Sequence, residues 1–173
     1  MRLYNRTRCP DDLLRVVLVA AARAVSCRTA DTIVRVTGGS CSGGRAWGRG
    51  WVSRGWLVTH GGKRRLWHDG NITLILPYRH SRFRYDPDPL SAAQAFYRTA
   101  CHEWAHVRDF RKTGSPDPST RRLRWADRPQ EQSAMAATDE ALEREANGQL
   151  ASRDEPILML AVWIESALKG IGK

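Results

Sequence analysis

No run of 18 apolar residues occurs anywhere in the sequence, so no segment is expected to cross a bilayer as a helix. A secretory leader is not expected either. The opening MRLYNRTRC is basic and leads into an apolar stretch, but Asp11 and Asp12 precede that stretch and Arg15 and Arg23 interrupt it. Cysteine is sparse: Cys9, Cys27, Cys41 and Cys101 form no C-x-x-C pair. This argues against a zinc ribbon and a dense disulfide framework, and reduced thiols in a cytoplasmic protein are the expectation. Internal repeats are absent. Acidic residues are outnumbered, 18 Asp and Glu against 28 Lys and Arg, which gives a formal net charge of +10 and a pI near 10.2. Such a surface attracts polyanions, nucleic acid above all, and says nothing about fold.

What is present suffices for one core. With 173 residues, 42 % of them apolar, residues 1–173 are expected to form a single domain. Residues 10–26 read as an amphipathic helix. Pro10 suits a first turn, Asp11 and Asp12 favour its positive end, and Leu13, Leu14, Val17, Ala21 and Val25 recur at helical spacing. DTIVRVT (31–37) reads as a strand, and NITLILP (71–77) as a second that ends, or marks a sheet edge, at Pro77. Between them, residues 38–70 are rich in Gly, Arg and Trp and predict short strands with Gly turns. Trp47, Trp51, Trp56 and Trp67, interleaved with Arg45, Arg49, Arg54, Arg64 and Arg65, fit either a half-buried sheet or a stacking platform for single-stranded nucleic acid. Asp88 and Pro89 open a long helix that Lys112 and Gly114 close, roughly 24 residues. A basic, Pro-rich connector (115–129) leads to a helix over about 128–151, and EPILMLAVWIESALKG (155–170) predicts a last apolar helix. The expected fold is α+β: an N-terminal helix, a small twisted and mostly antiparallel sheet, a long central helix and C-terminal helices.

The long helix carries the chemistry. His102 and His106 are four residues apart, so both imidazoles lie on one face, one turn above the other. Two neutral imidazoles are good ligands for zinc (Zn2+) at about 2.0–2.1 Å. Glu103 is rotated about 100° from His102, which aims it at a metal-bound water instead of the metal. Zinc lowers the pKa of that water toward about 7, and a carboxylate can then take its proton during attack on a carbonyl carbon. The competing reading is a pair of surface histidines on a solvated helix. The uncharged neighbours Trp104, Ala105 and Val107 speak against it. His60, His68 and His80 are scattered, and each is read as a polar residue satisfied by hydrogen bonds.

TACHEWAHV (99–107), preceded by the strand NITLILP, resembles the active-site helix and edge strand of the zincin metallopeptidases. The resemblance implies a zinc-dependent hydrolase of peptide bonds with His102 and His106 as ligands and Glu103 as general base. It also implies an edge strand, here 71–77, along which an extended peptide pairs by strand addition. Arg108 departs from the extended motif, which usually has an apolar residue there. No histidine follows His106, so the branches that take a later histidine do not fit, and the gluzincin branch, with a Glu on the next helix, does. RPQEQSA offers Glu131, resembling a stretch of small bacterial and phage-type zincins; EREAN offers Glu143. Twelve residues, about 18 Å on one helix, separate the two, so only one can be the ligand. Glu131 is preferred and Glu143 is the alternative. Asp109 reads as a hydrogen-bond partner for an imidazole N–H or as a surface charge. Arg128, Tyr97, Tyr85 and Tyr78 are all candidates for stabilising an oxyanion.

Two functions follow as expectations. The first is a zinc metallopeptidase acting on a protein or peptide. The alternative is a basic nucleic-acid-binding protein with an inactive or structural zincin-like site, using the Arg/Trp segment and the basic connector. No membrane partner is expected, and the oligomeric state is open.

Overall fold

The computed structural model describes residues 1–40, 48–58, 64–79, 88–113, 120, 122–148 and 154–171, with backbone alone at 40, 48–58, 64–69, 79 and 171. In chain order these form β1 (Arg2–Arg6), α1 (Asp11–Ala24), β2 (Thr32–Ser40), β3 (Gly48–Val58), β4 (Arg64–Arg79), α2 (Pro89–Thr113), a 3-10 turn (Trp125–Asp127), α3 (Pro129–Ala146) and α4 (Asp154–Ile171). The fold is α+β, and no helix among the described residues is long and apolar enough to cross a membrane.

The sheet differs from the expectation. Its order is β1-β2-β4-β3; β1, β2 and β4 run parallel, and only β3 is antiparallel, to β4. The physical reason is β1, which RLYNR does not advertise because its exposed alternate residues are charged or aromatic and it is short. Once β1 exists, α1 is no longer a free N-terminal helix. It becomes the crossover of a β1-α1-β2 unit, and such a connection joins parallel strands. The second correction concerns residues 71–77. They lie inside β4, paired with β2 over the whole stretch and with β3 up to Leu74, so this strand is interior and the edges are β1 and β3. Pro77 lies beyond the described pairing with β3, which reaches Leu74, and the β2 pairing slips between Gly39 and Ser40, opposite Pro77 and Arg79. The Gly-rich segment holds a long hairpin, β3 with β4, in place of several short strands. Arg45 and Trp47 lie outside the described residues, as do the side chains of the other Trp and Arg residues named between 49 and 67.

All four helices join one core on one face of the sheet. Val34 and Val36 of β2 and Ile72, Leu74 and Leu76 of β4 are fully buried against Leu14, Val17, Leu18 and Ala21 of α1, Phe96, Trp104 and Val107 of α2, and Leu160 and Ile164 of α4. The α1 pattern places Leu14, Val17, Ala21 and Val25 inside as its spacing predicts, with Leu13 partly buried. In α3 the buried stripe is Ala134, Thr138 and Ala141, spaced four and three apart. Small side chains there let the helix approach α2 closely.

α2 sits deep because β4 yields to it at one residue. A Cβ on Gly70 would lie 2.7 Å from Val107 Cγ1 and 3.0 Å from Thr32 Oγ1. Val107 adjoins His106, so Gly70 sets how near the histidine face comes to the sheet. We expect Gly70→Ala to destabilise the fold by about 1–3 kcal/mol through overpacking, read as a lower midpoint in thermal unfolding; an unchanged midpoint would show that the helix can move away freely. The start of α2 is fixed by Asp88, whose Oδ2 accepts the Ser91 N–H at 2.8 Å. That backbone donor and the Ser91 hydroxyl hold the Asp88 carboxyl below its ordinary range. A lowered carboxyl stabilises the fold above the unfolded value, about pH 3.9, and the contribution is lost as pH falls through the folded value. Asp88→Asn keeps an acceptor for the cap and no charge to titrate. It should match wild type at neutral pH and lose less stability below about pH 4, measured by denaturant unfolding across pH, while Asp88→Ala should be weaker at neutral pH.

Candidate metal centre

His102 and His106 project from the middle of α2, and Glu131 from the first turn of α3, whose N-terminus is set by Arg128 and Pro129. The Arg128 carbonyl accepts the N–H groups of Glu131 (2.9 Å) and Gln132 (3.0 Å) and so opens the helix. Further along, Asp109 Oδ2 accepts the Ser133 hydroxyl at 2.9 Å, Asp139 accepts Arg98 at 2.6 Å, and Glu145 accepts the Tyr97 hydroxyl. These ties pair rising positions on α3 with falling positions on α2, so the helices run antiparallel and the first turn of α3 faces the His102–His106 turn.

Three ligating atoms converge there. His102 Nε2 lies 3.2 Å from Glu131 Oε2, His106 Nε2 lies 3.1 Å from the same oxygen, and the two nitrogens are 3.1 Å apart. The three side chains are largely buried, 7–15 % exposed. Burial opposes the Glu131 charge, but hydrogen bonds and charge from His102 and His106 outweigh it and pull the carboxyl down to about 2. Glu131 is therefore an ionised acceptor at neutral pH.

Protons alone leave this triangle frustrated. For both nitrogens to bond the carboxylate, both must carry hydrogen, and then the nitrogen–nitrogen edge sets donor against donor. If either nitrogen is bare, its edge to Glu131 sets acceptor against acceptor. A cation near the centre relieves all three edges at once. Three donors on one tetrahedral ion at about 2.0–2.1 Å sit about 3.3–3.4 Å apart; the observed edges of 3.1–3.2 Å come close to that spacing. The donor set, two imidazoles and a carboxylate, suits zinc. His102, His106 and Glu131 are also a cluster of groups able to hold a metal ion by proximity alone.

Comparison with protein-family models, with curated proteins and with solved structures finds no match.

The other candidate residues are placed as follows. Glu103 is 5 % exposed, within the core-facing part of α2. Glu143 is exposed on α3, outside the triangle, twelve residues beyond Glu131. Asp109 does not reach an imidazole; its oxygens accept Arg108 Nε (2.7 Å) and the Ser133 hydroxyl. Arg108, out of place in the motif by comparison with zincins, caps α1 by donating to the Val25 carbonyl at 3.1 Å. Among the candidates for an oxyanion, Tyr97 is buried and donates to Glu145, Tyr78 packs edge-on against Trp163 at 5.1 Å, and Arg128 donates from Nε to the Leu123 carbonyl. Tyr85, His60 and His80 lie outside the described residues, and His68 is described by its backbone alone. Cys9, Cys27 and Cys101 are free thiols and buried; burial pushes Cys9 up to about 12 and Cys27 up to about 11.

Two aromatic side chains frame the site and were not singled out from the sequence. Phe110, one turn beyond His106, stacks on its ring at 5.5 Å and 17°. Spacing by four along the helix was the available signal. Trp125 is 52 % exposed with its ring 6.0 Å from that of His102. It lies in the connector among basic residues, with no local pattern that ties it to α2. His106 Nδ1 is buried and finds no hydrogen-bond partner among the described residues.

Proposed function

We propose that this chain holds one zinc ion between His102, His106 and Glu131 and hydrolyses peptide bonds. The observation that carries the reading is the three-atom convergence at 3.1–3.2 Å from two helices, whose edges protons on the imidazoles cannot all satisfy while Glu131 is ionised. Zinc held there supplies Lewis acidity, polarising a carbonyl and lowering the pKa of water toward about 7. Glu131 contributes the negative charge that favours a cation over a protonated imidazole, and its position in the first turn of α3 keeps it aimed at α2. Glu103 is the general base. It takes a proton from the attacking water at its carboxylate and hands it to the leaving amine nitrogen. Burial of Glu103 and His106 keeps bulk water from competing for those protons.

The resemblance to zincins supports a peptide as substrate through a strand at the sheet edge. With residues 71–77 interior, that role passes to β3, the edge strand that α2 packs beside. Among the described residues its outer edge is unpaired and offers main-chain groups for an extended peptide.

The test is a metal titration joined to an activity assay. Wild type should take up one zinc per chain, as should Glu143→Ala. His106→Ala and Glu131→Ala should each lose at least about a hundredfold in affinity. Glu103→Gln should keep its zinc while cleavage of an unfolded protein substrate falls about 10²–10⁴-fold. A wild-type chain that binds no zinc would end the reading; so would a fully active Glu103→Gln.

A further inference from the structure

The sheet has a second face, and the helices leave it open. Residues of β1, β2 and β4 that alternate with the apolar core set line up across the strands in three rows, Arg2, Ile33 and Asn71; Tyr4, Arg35 and Thr73; Arg6, Thr37 and Ile75, exposed toward β1, half-buried along β4 and buried at Asn71. None of these residues is acidic. Among the described residues no helix packs here, since the helices share a core with Val34, Val36, Ile72, Leu74 and Leu76 on the other side. Arg2, Arg6 and Arg35 are exposed, and Tyr4 is 51 % exposed.

The rows are organised. The Arg35 guanidinium lies 5.5 Å from the centroid of the Tyr4 ring, and its Nη1 donates to Asn71 Oδ1 at 3.4 Å. A guanidinium held between a ring and an amide is fixed in direction, so little freedom is lost when it meets a phosphate. Arg2 and Arg6 stand two residues either side of Tyr4, about 6.6 Å away along the strand. Phosphates on both sides of a base stacked on Tyr4 come within reach of them. A sheet face with an exposed aromatic and arginines suits a splayed single strand, because a duplex buries its bases and offers nothing to stack. The chain's net charge of +10 complements the same ligand.

We infer that this open face binds single-stranded nucleic acid, with Tyr4 as the stacking residue and Arg2, Arg6 and Arg35 as phosphate contacts. The site is separate from the metal centre, which lies among the helices on the opposite side of the sheet, and does not depend on the metal reading.

The experiment is fluorescence anisotropy of the full chain with labelled oligodeoxythymidylate, oligouridylate and a DNA duplex, from about 50 to about 200 mM salt. Two doubly substituted variants of equal charge separate this face from basicity in general: Arg2→Ala/Arg6→Ala, and Arg122→Ala/Arg124→Ala on the exposed connector. Far-UV circular dichroism checks that each is folded. Wild type should bind at least one single strand more tightly than the duplex, and the tighter of the two identifies DNA or RNA as the source. The Arg2/Arg6 variant should lose at least about tenfold in affinity, with a salt slope shallower by about 1.4, while the connector variant stays near wild type. Tyr4→Ala should weaken single-strand binding about fivefold or more and leave duplex binding alone. No saturable binding at the lowest salt would overturn the proposal. Equal losses in the two double variants, unaltered single-strand binding by Tyr4→Ala, or binding to phosphatidylserine vesicles in place of both strands would do the same.

Discussion

Two imidazole nitrogens and one carboxylate oxygen meet in a triangle with edges of 3.1–3.2 Å, and with Glu131 ionised one edge is repulsive whichever imidazole nitrogens carry protons. Groups in such an arrangement separate unless the structure around them forbids it or a cation joins them. Here the surrounding structure does hold them. His102 and His106 are fixed to each other by one helical turn. Glu131 is fixed to them by the junction of α2 with α3, and that junction is made elsewhere: by Ala134, Thr138 and Ala141 packing closely, by Ser133 on Asp109 and by Tyr97 on Glu145. The exposed Arg98–Asp139 pair adds direction more than energy, since such pairs are worth about 0–1 kcal/mol.

The same reasoning accounts for Arg108. A guanidinium next to the second histidine sits badly with a cation site, yet this one is turned away, donating to Val25 at the end of α1 and to Asp109. Arg111, one turn on, donates to the carbonyls of Arg28 and Ala30 and to the Thr32 hydroxyl. The last turns of α2 thus bind the connection from α1 into β2. The positive charge that the helix end favours is used to close the β1-α1-β2 unit, so Arg108 and Arg111 are engaged away from the histidines.

What the sequence made legible is local. Asp88 with Pro89 marks the start of α2, and the spacing of His102 and His106 puts them on one face; both depend on neighbours within a turn. The α+β class follows from counting periodic segments. The pairing of the sheet could not be read the same way, because it joins Arg2 to Ile33 and Thr32 to Gly70 across long stretches of chain. Missing β1 was enough to turn a crossover helix into an isolated one and a parallel sheet into an antiparallel one. Pro77 suggests an edge, and what it marks is the point where the β2 register slips. For the site, the choice between Glu131 and Glu143 rested on motif context. The structure puts Glu131 beside the histidines and leaves Glu143 on an exposed part of α3. Trp125 was hidden for a different reason: nothing local says that a connector folds back over a helix 20 or more residues earlier, and only the packing of α3 brings it there.

β4 links the two surfaces of the molecule. Its residues alternate, Gly70, Ile72, Leu74 and Leu76 toward the helices and Asn71, Thr73 and Ile75 toward the other face, where Asn71 is itself buried and Thr73 and Ile75 are half-buried. Gly70 is the position at which α2 is let in, and Asn71, its neighbour, is the amide that holds Arg35. A slip of one residue in this strand would exchange the two sets, sending the apolar residues to solvent and the polar ones into the core, so register is strongly enforced. It follows that the His102–His106–Glu131 cluster and the basic face are positioned by one strand yet do not share side chains. Each surface can therefore change by substitution on its own side without disturbing the other, provided that the alternation of β4 is kept.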